Sequence, residues 1–215
     1  MEQKKIILDL ALGDGYISKP KGEKGNSCLT MKHSLKQKEY LLHKMKILNE
    51  NGIKTIYRET TSGIHGVCYV MTGKLPIITE IRNLMYPNGK KIVPKEYIEN
   101  MCEKSLALFF QDDGGHGIIK RERKKLKSGS ISYLVKPYIG QFVFSTNVLD
   151  EESINFLCKK MNSFGIETKV YDRKGPVIVI SKIESKKIFV ELIKPFMCPS
   201  MMYKIDRPLS NHGKL

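Results

Sequence analysis

With 215 residues and 41% hydrophobic content, the chain is long enough to bury a core as one domain or two small ones. Its 37 lysines and arginines against 22 acids give a formal charge of +15, which selects a polyanionic partner: nucleic acid first, an anionic membrane surface second. No run of 18 apolar residues and no signal-peptide pattern is found, and five scattered cysteines (Cys28, Cys68, Cys102, Cys158, Cys198) without CxxC spacing argue against zinc or a disulfide framework.

Residues 2–13 read as a short helix ending at Gly13-Asp14-Gly15. The loop SKPKGEKGNS leads into CLTMKHS, where Thr30, Lys32 and Ser34 alternate with Leu29, Met31 and His33, the pattern of a half-buried strand. Residues 36–51 have a helical pattern with Tyr40, Leu41, Met45 and Leu48 on one side and Gly52 as the stop. Strands are expected at 54–60 and 65–72, the former placing Lys54, Ile56 and Arg58 on one side, then a helix at 75–85 and the segment Pro87, Lys90, Lys91, Pro94.

The stretch LALFFQDDGG at 106–115 begins the order again. Leu106, Ala107, Leu108, Phe109 and Phe110 leave no polar face, as in a buried helix. Asp112 and Asp113 then fall together at its carboxyl end, where the helix dipole disfavours negative charge. A divalent cation is the natural compensator, although an Asp-Gly pair also simply ends many helices. Strands follow near 117–123 and 138–146. A helix capped by Asp150 carries Ile154, Leu157, Cys158 and Met161 as far as Gly165. Strands at 168–173 and 177–181, a helix at 184–193, and Pro195, Pro199 and Lys204 close the pattern.

Spacing makes this a repeat. Asn49 to Ile53 (NENGI) matches Asn162 to Ile166 (NSFGI) at an offset of 113, and Lys91 and Lys204 are also 113 apart. Asp14 and Asp113 are only 99 apart, so the second half holds a net 14 extra residues, placed at 118–136 around KRERKKLKSGS.

The paired stretches ILDLALGDG and LALFFQDDG align with a nine-letter motif, and the DGYI and DDGG turns and LIKPFMCPSMMYKI accompany them. On these residues the chain resembles the two-motif, monomeric LAGLIDADG homing endonucleases, its second half most like the branch encoded by the mitochondrial omega intron. The resemblance implies an α+β fold of two pseudo-symmetric αββαββα halves, 1–100 and 101–215, the latter carrying the basic insertion near 118–136. Each half would hold a saddle-shaped antiparallel sheet, and the two motif helices would pack together. Asp9 departs from the motif, which usually has a small residue there, and reads as a solvent-facing residue or one that weakens helix packing. Leu12 stands where the motif often has an acid. No protein-splicing sequence is evident, which favours an intron-encoded or free-standing origin.

The same resemblance implies that Asp14 and Asp113 are catalytic and hold Mg²⁺, with Mn²⁺ able to substitute, assisted by the backbone carbonyls of Gly13 and Asp112. Oxygen-only ligation suits that ion. Lys91 and Lys204 would lower the pKa of a metal-bound water or stabilise charge developing at phosphorus; Gln111 and Gln141 read either as supports behind them or as structural residues. The DNA-contact set comprises Lys19, Lys21, Lys24, Lys32, Lys54, Arg58, Lys169 and Arg173, with Lys120, Arg121, Arg123, Lys124, Lys125 and Lys127 from the insertion. Sheets of this kind lie along the major groove.

The expected activity is site-specific, metal-dependent hydrolysis of double-stranded DNA, leaving 3′ overhangs at a long, non-palindromic site. Two other readings use the same basic surface: an RNA-binding maturase acting on an intron, and a non-catalytic DNA-binding regulator. A regulator has little need of both aspartates. A monomer without membrane association or an obligate protein partner is expected, in an intracellular setting that is organellar, bacterial or viral.

Overall fold

The computed structural model describes residues 2–22, 25–61, 66–116, 120–125, 131–136, 140–172 and 175–206, with the backbone alone for 120–125 and 131–136. The first half runs α1 (Glu2–Leu12), β1 (Tyr16–Ile17), β2 (Leu29–Ser34), α2 (Lys38–Glu50), β3 (Thr55–Thr60), β4 (Val67–Thr72), α3 (Pro76–Met85) and the short α4 (Lys95–Glu99). The second half runs α5 (Glu103–Asp113), β5 (Gly114–His116), β6 (Lys120–Lys125), β7 (Ile131–Lys136), β8 (Phe142–Ser145), α6 (Glu151–Ser163), β9 (Lys169–Asp172), β10 (Pro176–Ile180) and α7 (Ile183–Ile193). A 3-10 segment at Pro199–Lys204 follows.

Two four-stranded antiparallel sheets have the same strand order, β1-β2-β4-β3 and β5-β8-β10-β9. Helices α2 and α6 are each 13 residues long, and their bounds differ by the 113 residues read from the repeat. This α+β, two-sheet architecture is the duplication made visible. Each sheet turns one face to its helices. In β2 that face is Leu29, Met31 and His33, and in β4 it is Cys68, Val70 and Thr72, all buried. The opposite face of the first sheet is wet, and register aligns Lys32 with Tyr69 and Tyr69 with Arg58 across three strands.

Helices α1 and α5 pack against each other at the centre of the molecule. Ile7, Leu10 and Ala11 of α1 and Leu106, Ala107 and Phe110 of α5 have no exposed surface. Behind α5 lies an aromatic core. Phe110 meets Phe142 and Phe189 edge-on at centroid distances of 5.4 and 5.0 Å, and Phe109 stacks on Phe144 at 5.1 Å. Fully burying each such ring contributes roughly 2–3 kcal/mol, so α5 is held by its packing and carries its acidic end into a rigid setting.

Three features depart from expectation. The basic insertion does not extend a strand of the main sheet. Its strands β6 and β7 pair with each other from Lys120 opposite Lys136 to Lys125 opposite Ile131, forming a separate antiparallel hairpin. Alternating Ile131, Tyr133 and Val135 suit a strand, and the second run of β-prone residues gives the insertion its own partner. Helix α4 is a single turn of five residues behind Pro94, too short to show a periodic pattern. Asp9 does not face solvent. It is 1% exposed, accepts a hydrogen bond from Tyr97 Oη at 2.6 Å and pairs with Lys5 Nζ at 3.0 Å. Lys5 in turn donates to Ser105 Oγ at 2.6 Å on α5, so the motif-breaking acid fastens the two central helices rather than loosening them.

Candidate active site

The carboxyl ends of α1 and α5 meet, bringing Asp14 and the Asp112-Asp113 pair to one place. Gly13 is the point of closest approach: a Cβ there would lie 2.3 Å from Asp112 Oδ2, so only glycine lets the helices close. The space is used by Asp112, whose Oδ2 accepts the backbone N–H of Asp14 at 3.1 Å. Asp14 itself is exposed, while Asp113 is half-buried. Burial, followed by the negative charges of Asp14 and Asp112, pushes the Asp113 carboxyl up to about 7.

Each helix end carries a lysine. Lys91 donates to the carbonyls of Leu12 at 2.8 Å and Gly13 at 3.0 Å. Lys204 donates to those of Gln111 and Gly114, both at 2.7 Å. Burial lowers the pKa of both ammonium groups, against the pull of the nearby aspartates. Both sit where helix carbonyls concentrate negative potential, so each caps a helix end and stands beside the carboxylates at once. The turns that place them are locally built. Ile92 N–H bonds back to Met85 O at 2.8 Å beyond the turn at Gly89, which adopts a φ of 75°. Gln111 Oε1 accepts Cys198 N–H at 2.6 Å, tying the segment before Lys204 to α5. Gln111 is thus an anchor for the Lys204 segment.

The carbonyls of Gly13 and Asp112, expected as metal ligands, are shared with these ammonium groups, at 3.0 Å for Lys91 and 3.5 Å for Lys204. A carbonyl has two lone pairs, so a cation and an ammonium can share it. Asp112 spends its carboxylate differently. It forms a buried ion pair with Lys44 and accepts from Tyr40 Oη at 2.7 Å, all within a site where Lys44 and Asp112 side chains are 0% and 1% exposed. Lys44 also lies 3.1 Å from His33 Nε2. Gln37 Oε1 can only accept, so the ring's proton sits on Nδ1, 3.2 Å from it and 3.9 Å from Asp14 Oδ2, and Nε2 takes the bond from Lys44. Burial and then the Lys44 charge hold the His33 pKa below its ordinary value, keeping the ring neutral.

Asp14, His33 and Asp112 place ligand atoms within 4.8 Å of one another. Lys44 already neutralises Asp112, so the carboxylates open to a cation are Asp14 and Asp113. Burial first, then the charges of Asp14 and Asp112, raise the Asp113 pKa, and a hard divalent cation bound by oxygen would offset both. The residues present fit such an ion.

Sequence reading missed Lys44, Tyr40 and His33 as parts of the centre. A signal existed: Lys44 stands on the apolar side of α2, whose buried residues are Tyr40, Leu41, Lys44, Ile47 and Leu48. The surface set behaves as its pattern implies where it is described. Lys19, Lys21, Lys32, Lys54, Arg58 and Lys169 are exposed, Lys32, Arg58 and Lys169 within strands of the two sheets and Lys54 just ahead of β3. Lys120, Arg121, Arg123, Lys124 and Lys125 belong to β6, known by its backbone, while Lys24, Lys127 and Arg173 lie outside the described residues. The wet face of the first sheet also carries an exposed apolar residue, Ile56, 56% exposed and in register with Met71.

Comparison with known proteins finds a match to the LAGLIDADG DNA endonuclease family over residues 4–188. The chain is 25% identical over 209 residues to the probable intron-encoded endonuclease 1 of Wickerhamomyces canadensis, covering 94% of this chain and 83% of that protein. It is 26% identical over 210 residues to Protein RecA of Mycolicibacterium flavescens, covering 95% of this chain and 46% of that protein. The chain therefore spans about half the length of the RecA relatives it matches. Among solved structures the fold is similar to the homing endonuclease I-WcaI bound to its DNA recognition sequence, with a TM-score of 0.73, 22% identity, and coverage of 96% of this chain and 86% of that one. It is also similar to I-DmoI in complex with DNA and Mn, with a TM-score of 0.52, 15% identity, and coverage of 89% and 95%.

Proposed function

Because this chain belongs to the LAGLIDADG DNA endonuclease family, we propose that it cuts both strands of a long, non-palindromic DNA site by divalent-metal-dependent hydrolysis, leaving 3′ overhangs. The observation that carries this reading is the convergence of two helix ends. They bring Asp14, Asp113 and two helix-capping lysines into one centre, with Asp113 raised to about 7 by burial and by its acidic neighbours. Asp14 and Asp113 would hold the ion, together with the Gly13 and Asp112 carbonyls. Mg²⁺, or Mn²⁺ in its place, would supply there an activated water and stabilisation of negative charge on the leaving oxygen. Lys91 and Lys204, fixed at the helix ends, add positive charge where negative charge develops on the phosphoryl oxygens. Lys32, Arg58 and Lys169 reach DNA from the two sheets, and the basic hairpin extends that surface. A monomer suffices, since both halves lie in one chain.

Incubating the protein with a randomised duplex library and Mg²⁺, then sequencing the ends, tests this. Recovery of one long site with ends staggered to leave 3′ overhangs supports it. Absence of cleavage from a library that contains the native site, with tight salt-sensitive binding to an intron RNA, would replace it with a maturase function.

A further inference from the structure

The two halves share strand order and helix lengths but not the chemistry behind their aspartates. Applying the repeat offset of 113 places Thr146 opposite His33, Ser153 opposite Tyr40 and Leu157 opposite Lys44. Each counterpart is spent on packing. Thr146 Oγ1 donates to Pro176 O at 2.8 Å, Ser153 Oγ accepts Val93 N–H at 2.9 Å, and Leu157 is fully buried in the core. In the first half the same positions form a connected polar chain, from Gln37 through His33 and Lys44 to Asp112 and Tyr40. This chain ends on Asp14 twice: Asp112 Oδ2 takes its backbone N–H at 3.1 Å, and the His33 ring stands 3.9 Å from its carboxylate. The glycine at position 13, where α5 has Asp112, is what admits this one-sided arrangement.

We propose that His33, Lys44, Tyr40 and the Asp112 side chain are positioning residues for Asp14, so that their loss slows cleavage of one DNA strand more than the other. The proposal rests on the endonuclease reading. A buried ion pair is a costly way to stabilise a fold, since an apolar pair of similar volume commonly does as well. Its use here is orientation: Lys44 bonds to His33 Nε2, leaving the ring's proton on the side of Asp14, and holds the Asp112 carboxylate in place under Asp14. A carboxylate that loses such support can shift by a fraction of an ångström, and misplacement of that order is costly in rate.

The test is strand-resolved cleavage of the recovered site, each strand carrying a different label, by the full chain and its variants. His33→Leu removes the donor facing Asp14. Lys44→Met with Asp112→Asn removes both buried charges together, so no charge is left unpaired. His33→Asn keeps an N–H near the Nδ1 position. The ratio of the two strand rates is independent of how much protein is folded, which separates positioning from loss of structure. Expected is a shift of about tenfold in that ratio for His33→Leu and for the double variant, disfavouring the same strand in both, with substantial return in His33→Asn. Equal slowing of both strands, an unchanged ratio, or shifts toward opposite strands would overturn the proposal while leaving the endonuclease reading in place. Failure of the unaltered protein to cut either strand would instead defeat that reading.

Discussion

Gly13 has no room for a side chain. A Cβ at this position would sit 2.3 Å from Asp112 Oδ2, an atom already committed to the Asp14 N–H and next to a buried ion pair. Gly13→Ala should therefore destabilise the fold by about 1–3 kcal/mol and displace Asp14, lowering both the melting temperature and the cleavage rate. Asp113 gives a second prediction at this scale. Its folded-state pKa of about 7 stands above the ordinary value of 3.8, so the folded protein binds this proton more tightly than the unfolded chain does. The associated stability is fully present below about pH 4 and is lost as pH rises through about 7. Three pH units correspond to about 4 kcal/mol, and solvent screening of a half-buried group reduces that to about 2 kcal/mol. Melting of the metal-free protein between pH 4 and 8 should show this decline, Asp113→Asn should flatten it, and Mg²⁺ should restore stability at high pH. Asp9 is instructive in another way. Its position in an apolar motif suggested a weak point, yet Lys5 and Tyr97 were too far along the chain, or too ordinary in type, to be recognised as its partners.

The elements were legible to different degrees, and the reason lies in length and pattern. The helices α2, α3, α6 and α7 and the strands β2, β3 and β4 carry clean periodicity and fall close to where it places them. Helix α5 was readable as buried because no face of Leu106–Phe110 is polar. The two-residue β1 and the single-turn α4 carry no period to read; of the hairpin, a strand expected near 117–123 overlaps β6, whereas β7 falls within the stretch that reads as a basic insertion. Lys44 of α2 carries no site signal by itself: a lysine on an apolar stripe usually extends its head to water, whereas here it meets Asp112 across the helix interface. Lys91 and Lys204 were found by repeat spacing, but their grip on helix carbonyls needed the fold. Replacing either with methionine should leave DNA affinity within about twofold and lower the cleavage rate by about tenfold or more, measured under single-turnover conditions. On the first sheet, Arg58 is exposed and aligned with Tyr69 and Lys32. If Arg58 meets a phosphate, Arg58→Ala weakens binding on all sequences and reduces the salt slope by about one; if it reads guanine, discrimination at one position falls by about 1–3 kcal/mol. Binding titrations at several salt concentrations distinguish the two.

At the scale of the molecule, duplication supplies the architecture and departures from it supply the individuality. Two sheets of identical strand order hang from one helix pair, and the charge of +15 gives the whole a strong preference for polyanions. The offset of 113 and the shorter 99-residue separation of the aspartates were enough to infer the two halves and the place of the insertion. The meeting of Asp14 with a half-buried Asp113, and the polar chain that reaches Asp14 from one half, depend on side chains from distant segments and emerge only when the helices are packed. A single shared centre makes a claim about both strands at once. The measurement that tests it most directly is strand-resolved cleavage of the recovered DNA site in Mg²⁺ by the protein, by Asp14→Asn and by Asp113→Asn, with DNA binding measured alongside. Loss of cutting on both strands by more than about a hundredfold in either variant, with binding retained, is the predicted result. A variant that still cuts both strands at close to the original rate would contradict the account.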